Sequence, residues 1–150
     1  MHVGYEISPR LKPKSDDGYL EEMTRAVFQM GFSWAVIREK WPNFVQAFEG
    51  FNVDAVANYN DDDLERLLTD KGIVRNGRKI VATLENACII QRLAQEHGSF
   101  YDYLRSLDGL SYAQKRKSLT RQFRNLGLTG MFVFLWRVDE PVPEWEERNS

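Results

Sequence analysis

The segment Asp70-Lys71-Gly72-Ile73-Val74-Arg75-Asn76-Gly77-Arg78-Lys79-Ile80 constrains this chain most. It lies between two stretches of helical periodicity. It holds two glycines and four basic residues, and no Asp or Glu falls between residues 71 and 84. A helix, a tight turn with Gly then Ile, a basic cluster and a second apolar helix predict a helix-hairpin-helix. Glycine lets the backbone approach a ligand closely. The N–H groups of the turn and of the next helix's N-terminus point at an anion. The pattern implies a grip on a DNA phosphate that reads no base. The candidate contacts are Lys71, Gly72, Ile73, Val74, Arg75, Asn76, Gly77, Arg78 and Lys79.

At 150 residues the chain is long enough for one domain with a real core. Hydrophobic residues make up 43% and aromatics 13%, which excludes a disordered chain. Mean hydropathy is -0.49, and no apolar run approaches a membrane span. Met1 to Glu6 lack the basic and apolar blocks of a signal peptide, which predicts a cytoplasmic protein with no membrane partner. The one cysteine, Cys88, excludes an internal disulfide and is expected to be a buried, inert thiol on a helix. Net charge is only -2, but the charges are segregated. Gly109 to Val138 holds no acid, yet carries Lys115, Arg116, Lys117, Arg121, Arg124 and Arg137. Acids gather at Asp16-Asp17, Glu21-Glu22, Asp61-Asp62-Asp63 and in the tail from Asp139 to Glu147. Such segregation implies one positive and one negative face.

The periodicity predicts an all-α chain of about eight short helices. Residues 1–17 read as an extended arm, 18–138 as a single helical domain, and 139–150 as a loose acidic tail. Leu20, Met23, Val27 and Met30 define a first helix, interrupted by Gly31. A second runs from Phe32 to Arg38, and Pro42 is expected to open a third at Asn43 to Phe48. Asn52 caps a short helix over Val53–Ala57, and Asn60 with three aspartates starts another over Asp61–Thr69. The longest helix spans about Asn76 to Glu96, with Ile80, Leu84, Ala87, Cys88 and Leu93 on its buried side. His97-Gly98 closes it. Residues 99–107 form a helix with Phe100, Tyr103, Leu104 and Leu107 inward, and Ser111 caps a basic helix to about Leu126. Gly127 and Gly130 flank a turn before a closing apolar helix, Met131 to Val138, which also reads as a buried strand without a partner.

Gly31-Phe32-Ser33-Trp34, with Ile37, Lys40, Asn43, Phe44 and Phe48, resembles the DNA-3-methyladenine glycosylase I family. So do Phe51, Val53, Val56, Ala57, Asp63, Glu65, Arg66, Leu67, Asp70, Gly72 to Arg75, Lys79-Ile80 and Asn86-Ala87. The likeness runs from about Leu20 to Ala87 and resumes weakly near Leu119, Gly130 and Trp136. It implies a helix-hairpin-helix DNA glycosylase-like bundle that removes alkylated purines such as 3-methyladenine in base excision repair. It also implies double-stranded DNA as partner. No lysine sits at a recognisable nucleophile position, which predicts a monofunctional hydrolase, and the chain is expected to act as a monomer. A glycosylase must extrude the damaged nucleotide into a pocket. By this resemblance Trp34 stacks on the flipped base, and an aromatic face suits a cationic alkylpurine. Phe32, which also reads as packing, and Tyr19 are the other pocket candidates.

Three departures from the family stand out. The family's zinc site uses two cysteines and two histidines, whereas this chain has only Cys88, His2 and His97. Four ligands cannot be assembled, so no zinc is expected. The family's N-terminal tyrosine and tryptophan have no clear counterparts; Tyr5 or Tyr19 stands in. The family's base-contacting glutamate, eight residues before the tryptophan, is Ala26 here, so the catalytic group is unknown. Gln29, Glu22 (one turn earlier on the same face) and Glu39 are the nearest polar residues. A lost acid–base group costs about 10²–10⁴-fold in rate. A labile cationic base tolerates that loss better than a neutral one. The alternative to a narrow glycosylase is a DNA-binding or lesion-sensing protein without chemistry. A third reading is a helical module whose acidic tail binds a protein.

Overall fold

The structure, a computed structural model, describes residues 10–150. Tyr5 and His2 lie outside the described residues. Among these residues the chain forms eight α-helices and no strand. They are α1 (Asp16–Gln29), α2 (Trp34–Ala47), α3 (Val53–Ala57), α4 (Asp61–Leu68), α5 (Gly77–His97), α6 (Phe100–Arg105), α7 (Tyr112–Gln122) and α8 (Leu128–Arg137). Short 3₁₀ turns lie at Glu49–Phe51 and Trp145–Glu147.

The predicted caps form. Asn52 accepts from the Ala55 N–H, and Asn60 and Asp63 make a reciprocal capping box. Ser111 and Gln114 make a second box. Gly31 (φ 78°) stops α1 and Gly98 (φ 103°) stops α5 in backbone regions that favour glycine. Two aspartates predicted only as a charged run cap other helices instead. Asp16 Oδ1 accepts from Phe100 N–H at 2.8 Å, and Asp17 Oδ1 from Val53 N–H at 2.9 Å. The start of α1 thereby fixes the starts of α6 and α3.

The core centres on α1, α5 and α8. Leu20, Met23, Val27 and Phe28 of α1 are fully buried, as are Ile80, Ala87 and Ile90 of α5 and Met131, Phe132, Phe134 and Leu135 of α8. A ladder of rings crosses α2: Trp41 stacks on Phe44 (4.9 Å) and on Phe51 (5.4 Å), and Phe48 stacks on Phe51 (5.4 Å). Each such pair adds to the area buried.

Several expectations are corrected. Pro42 does not open a helix; α2 runs through it. Ile37, Trp41 and Phe44 are buried on both sides of the proline, and their packing outweighs the amide hydrogen bond that the ring removes. Pro42→Ala is expected to raise stability by about 2 kcal/mol. This is the ~3 kcal/mol helix penalty of proline less ~1 kcal/mol for its restriction of the unfolded chain. A urea midpoint measures it, and an unchanged midpoint contradicts it. Cys88 is exposed rather than buried; Thr83, Asn86, Ala87 and Ile90 take the inward face of α5. Gly130 lies inside α8, where a Cβ would meet Leu126 at 3.1 Å, so small size rather than turn geometry is what the site requires.

Nor is the tail loose. Glu140 is buried, Trp145 packs edge-on against Phe132 (5.5 Å), and Arg116 donates to the carbonyls of Arg148 (2.7 Å) and Ser150 (3.2 Å). The arm likewise adheres. Leu11 N–H donates to Arg137 O at 3.1 Å, and Arg10 reaches the carbonyls of Trp136 and Glu140, both at 2.6 Å.

Candidate nucleic-acid interface and base pocket

Residues 69–76 join α4 to α5 as a tight hairpin. Asp70 Oδ1 accepts from Gly72 N–H (2.7 Å), and Asn43 Nδ2 donates to Gly72 O (3.0 Å). A Cβ on Gly72 would stand 3.1 Å from Asp70 Oδ1 and 3.3 Å from Asn43, so the turn closes only around a residue this small. Ile73 is buried and anchors the turn. Asn76 caps α5 by accepting from Lys79 N–H (3.2 Å). The N–H groups of Gly77 and Arg78, in the first turn of α5, have no partner among the described residues. Lys71, Arg75 and Arg78 are exposed around this helix start. Together they form a cationic rim over unpaired amide donors, which is chemistry for a phosphate.

Lys79 does something different. Its ammonium is half-buried and donates to Phe28 O (3.3 Å) and Met30 O (2.5 Å), carbonyls at the end of α1. Burial lowers its pKa. It also lies 5.9 Å from the Phe32 ring. Lys79 therefore pins the hairpin to the turn Met30–Ser33, directly before Trp34.

Trp34 is buried, with 7% exposure, and its indole N–H has no hydrogen-bond partner. The guanidinium of Arg137 lies over its ring at 4.6 Å. Arg137 Nη2 donates to Gln29 Oε1 (2.7 Å), and Nη1 stands 3.7 Å from Glu22 Oε1. Its Nε and Nη1 make no hydrogen bond, although the side chain is only 1% exposed. Glu22 accepts from Arg25 Nε at 3.2 Å. Burial outweighs the attraction between these groups: it raises the Glu22 carboxyl and lowers Arg137 to about 10. Beside them lies an open cavity of about 310 Å³, with Leu11 and Pro13 of the arm on one wall and Glu21, Glu22, Arg25 and Arg137 on the other.

The pocket candidates thus separate. Phe32 is 45% exposed, on the Lys79 side. Tyr19 is buried edge-on against Phe100 (5.1 Å), and burial pushes its hydroxyl up to about 12. Ala26 is fully buried. Glu22 and Gln29 converge on Arg137, whereas Glu39 is exposed on α2. The sequence alone assigns Arg137 no role in the pocket. A signal for it exists: a single charge, at the end of the otherwise uncharged helix Leu128–Arg137. The basic segment 115–124 divides as well. Lys115 and Arg116 are buried, while Lys117, Arg121 and Arg124 are exposed.

The residues do not fit the zinc site that the resemblance implies for the family. Cys88 and His97 sit nine positions apart on one helix, and His97 packs against Tyr103 (5.1 Å). Among the described residues no group of three or more His, Cys, Asp or Glu side chains converges. No helix among them is long and apolar enough to cross a membrane.

The chain is similar to several known proteins. It is 31% identical over 105 residues to DNA-3-methyladenine glycosylase 1 of Escherichia coli (strain K12), covering 69% of this chain and 56% of that protein. It thus spans little more than half of that relative's length. A crystal structure of 3-methyladenine DNA glycosylase I superposes with a TM-score of 0.73 at 25% identity, over 85% of this chain and 81% of the other. The glycosylase from Staphylococcus aureus shares the fold with a TM-score of 0.77 at 21% identity, over 98% and 90% of the two chains. The profile of the methyladenine glycosylase family matches residues 11–128, and with the all-helical bundle this shows that the chain belongs to that family.

Proposed function

We propose that this protein binds duplex DNA through the hairpin and turns a damaged purine out of the helix. It then hydrolyses the N-glycosidic bond of that alkylated purine without a metal. The observation that carries this reading is the Lys79 tie. The phosphate-gripping hairpin and the turn before Trp34 form one mechanical unit, so holding the backbone places an extruded base near the indole and Arg137. The activity named for the relatives, release of 3-methyladenine, supplies the substrate class. A purine alkylated at N3 carries positive charge and leaves as a neutral base. The C1′–N9 electron pair returns to the ring, water adds to C1′, and its proton passes to solvent. Positioning and extrusion carry such a step without a strong general acid, which suits a chain with Ala26 at the position of the family's glutamate.

Single-turnover release of methylated purines from methylated duplex DNA tests the reading. We expect release by the wild type. Trp34→Ala should cut it by about ten- to a hundredfold, the loss of one base–aromatic stack, while leaving general duplex affinity in place. Bound DNA with no release contradicts hydrolysis. A second reading, a lesion reader without chemistry, would then stand. It is favoured by the guanidinium that already covers the Trp34 ring.

A further inference from the structure

Leu11 and Pro13 line the cavity beside Arg137, and Lys12 between them lines a second one, of about 570 Å³. That is the size of a small-molecule pocket. Leu110, Tyr112 and Lys115, around the start of α7, form one of its walls. Lys115 is only 6% exposed, yet its ammonium makes no hydrogen bond or ion pair among the described residues. Nor is the ammonium sealed off: it keeps contact with open space, and the cavity is what Lys115 lines. A helical side chain leans back over the turn before it, so Lys115 extends toward the first turn of α7. There Ser111 Oγ accepts from Gln114 N–H, whereas the N–H groups of Tyr112 and Ala113 have no acceptor among the described residues. With 11 residues, α7 also turns the positive end of its dipole to this wall. The neighbouring charges are already matched. Asp108 Oδ2 holds Arg105 at 3.0 Å, and Glu140 holds both Arg105 and Lys12. Asp139 stands 3.9 Å from Arg10. Lys115 is the unmatched charge, and a buried ammonium without an acceptor is costly.

We propose that this cavity binds the carboxylate of a small organic acid, with Lys115 as the residue that recognises it. One negative charge answers the one unmatched ammonium, and the dipole of α7 favours it further. A phosphate dianion would set a second charge against Asp108 and Asp139, whose half-exposed carboxylates stand on the rim. The body of the acid meets Leu110, the Tyr112 ring and Pro141. Leu110 is 40% exposed, so a ligand here covers apolar surface as well as charge. No wall residue belongs to the hairpin or touches Trp34, so the assignment stands apart from the glycosylase reading.

Titration of the wild-type protein with 4-fluorobenzoate, followed by fluorine NMR, tests the assignment. We expect saturable binding, with inorganic phosphate and the uncharged 4-fluorobenzyl alcohol binding more weakly. Lys115→Met keeps the apolar stem and removes the charge. It should weaken 4-fluorobenzoate binding about tenfold or more, the loss of one hydrogen bond to a charged group. Asp139→Asn should tighten binding, because a repelling carboxylate leaves the rim. Asparagine tolerates the positive φ of this position (62°). Damage to the fold does not produce a gain, so this variant decides where Lys115→Met does not fold. Duplex affinity should be the same in Lys115→Met as in the wild type. The assignment is overturned by the absence of saturable binding, by undiminished binding in Lys115→Met, or by no gain in Asp139→Asn. Phosphate or the alcohol bound as tightly as 4-fluorobenzoate overturns it as well. So does a duplex that displaces 4-fluorobenzoate and binds Lys115→Met less well, which would give the cavity to the DNA backbone.

Discussion

Reversing Lys71, Arg75 and Arg78 to glutamate together is expected to weaken duplex binding steeply while leaving thermal stability unchanged. All three side chains are exposed, and none makes a hydrogen bond or ion pair among the described residues. They stand around the unpaired N–H groups of Gly77 and Arg78, so their charge bears on a bound phosphate and not on the fold. Each phosphate contact contributes about 0.9 to the slope of log affinity against log salt. Loss of three contacts should flatten that slope by about 2.7 and weaken binding to every sequence alike. Filter binding or anisotropy across a salt series reads both quantities. An unchanged slope would move the interface elsewhere, to the exposed Lys117, Arg121 and Arg124 of the α7 region. Lys79 is unsuited to the same experiment. Its ammonium closes the end of α1, and a glutamate there would set a carboxylate against two carbonyl oxygens. The variant would lose DNA affinity by losing structure.

Lys79 also marks where the sequence stops being legible. The hairpin is readable because its signals are local: Asn76 caps the next four residues, and Gly72 fits a turn closed by Asp70 two positions away. The same holds for Asn52, Asn60 and Ser111, each of which caps the helix it precedes. The pocket is made of long-range partners. Arg137 meets Gln29 across 108 positions, and Lys79 meets Met30 across 49. A lysine in a basic cluster and an arginine in an acid-free stretch look like surface charge until the fold supplies a carbonyl or an indole. Pro42 misleads for the opposite reason. A strong local breaker is overruled by the burial of Ile37, Trp41 and Phe44 around it, which no local rule weighs. The family's carboxylate position, by contrast, is legible as a loss. Ala26 is fully buried, and the nearest acid, Glu22, has turned to Arg25 and Arg137.

Glu140→Ala is expected to cost about 3 kcal/mol of stability, the lower end of the range for removing one partner from a buried ion pair. The side chain is fully buried and is held by Arg105 and by Lys12 Nζ at 3.1 Å. Both cations reach water, with 28% and 37% of their side chains exposed, so hydration recovers part of the loss and keeps it from the upper end. Against a typical total of about 5–15 kcal/mol, the change should be plain in a urea midpoint. Glu140→Gln, which keeps shape and one acceptor, should lose less. The larger consequence is local. Glu140 secures the arm from the far side: its side chain holds Lys12 and its carbonyl receives Arg10, while Leu11 N–H bonds Arg137 O. Leu11 and Pro13 are the arm's contribution to the cavity wall. The carboxylate therefore supports a pocket that it does not touch. In Glu140→Ala the arm should become sensitive to trypsin at Arg10 and Lys14, and release of the methylated purine should fade. Hairpin-driven affinity for undamaged duplex should persist, because none of its groups contacts Glu140. Equal loss of purine release and duplex affinity would instead mean that the bundle has opened as a whole.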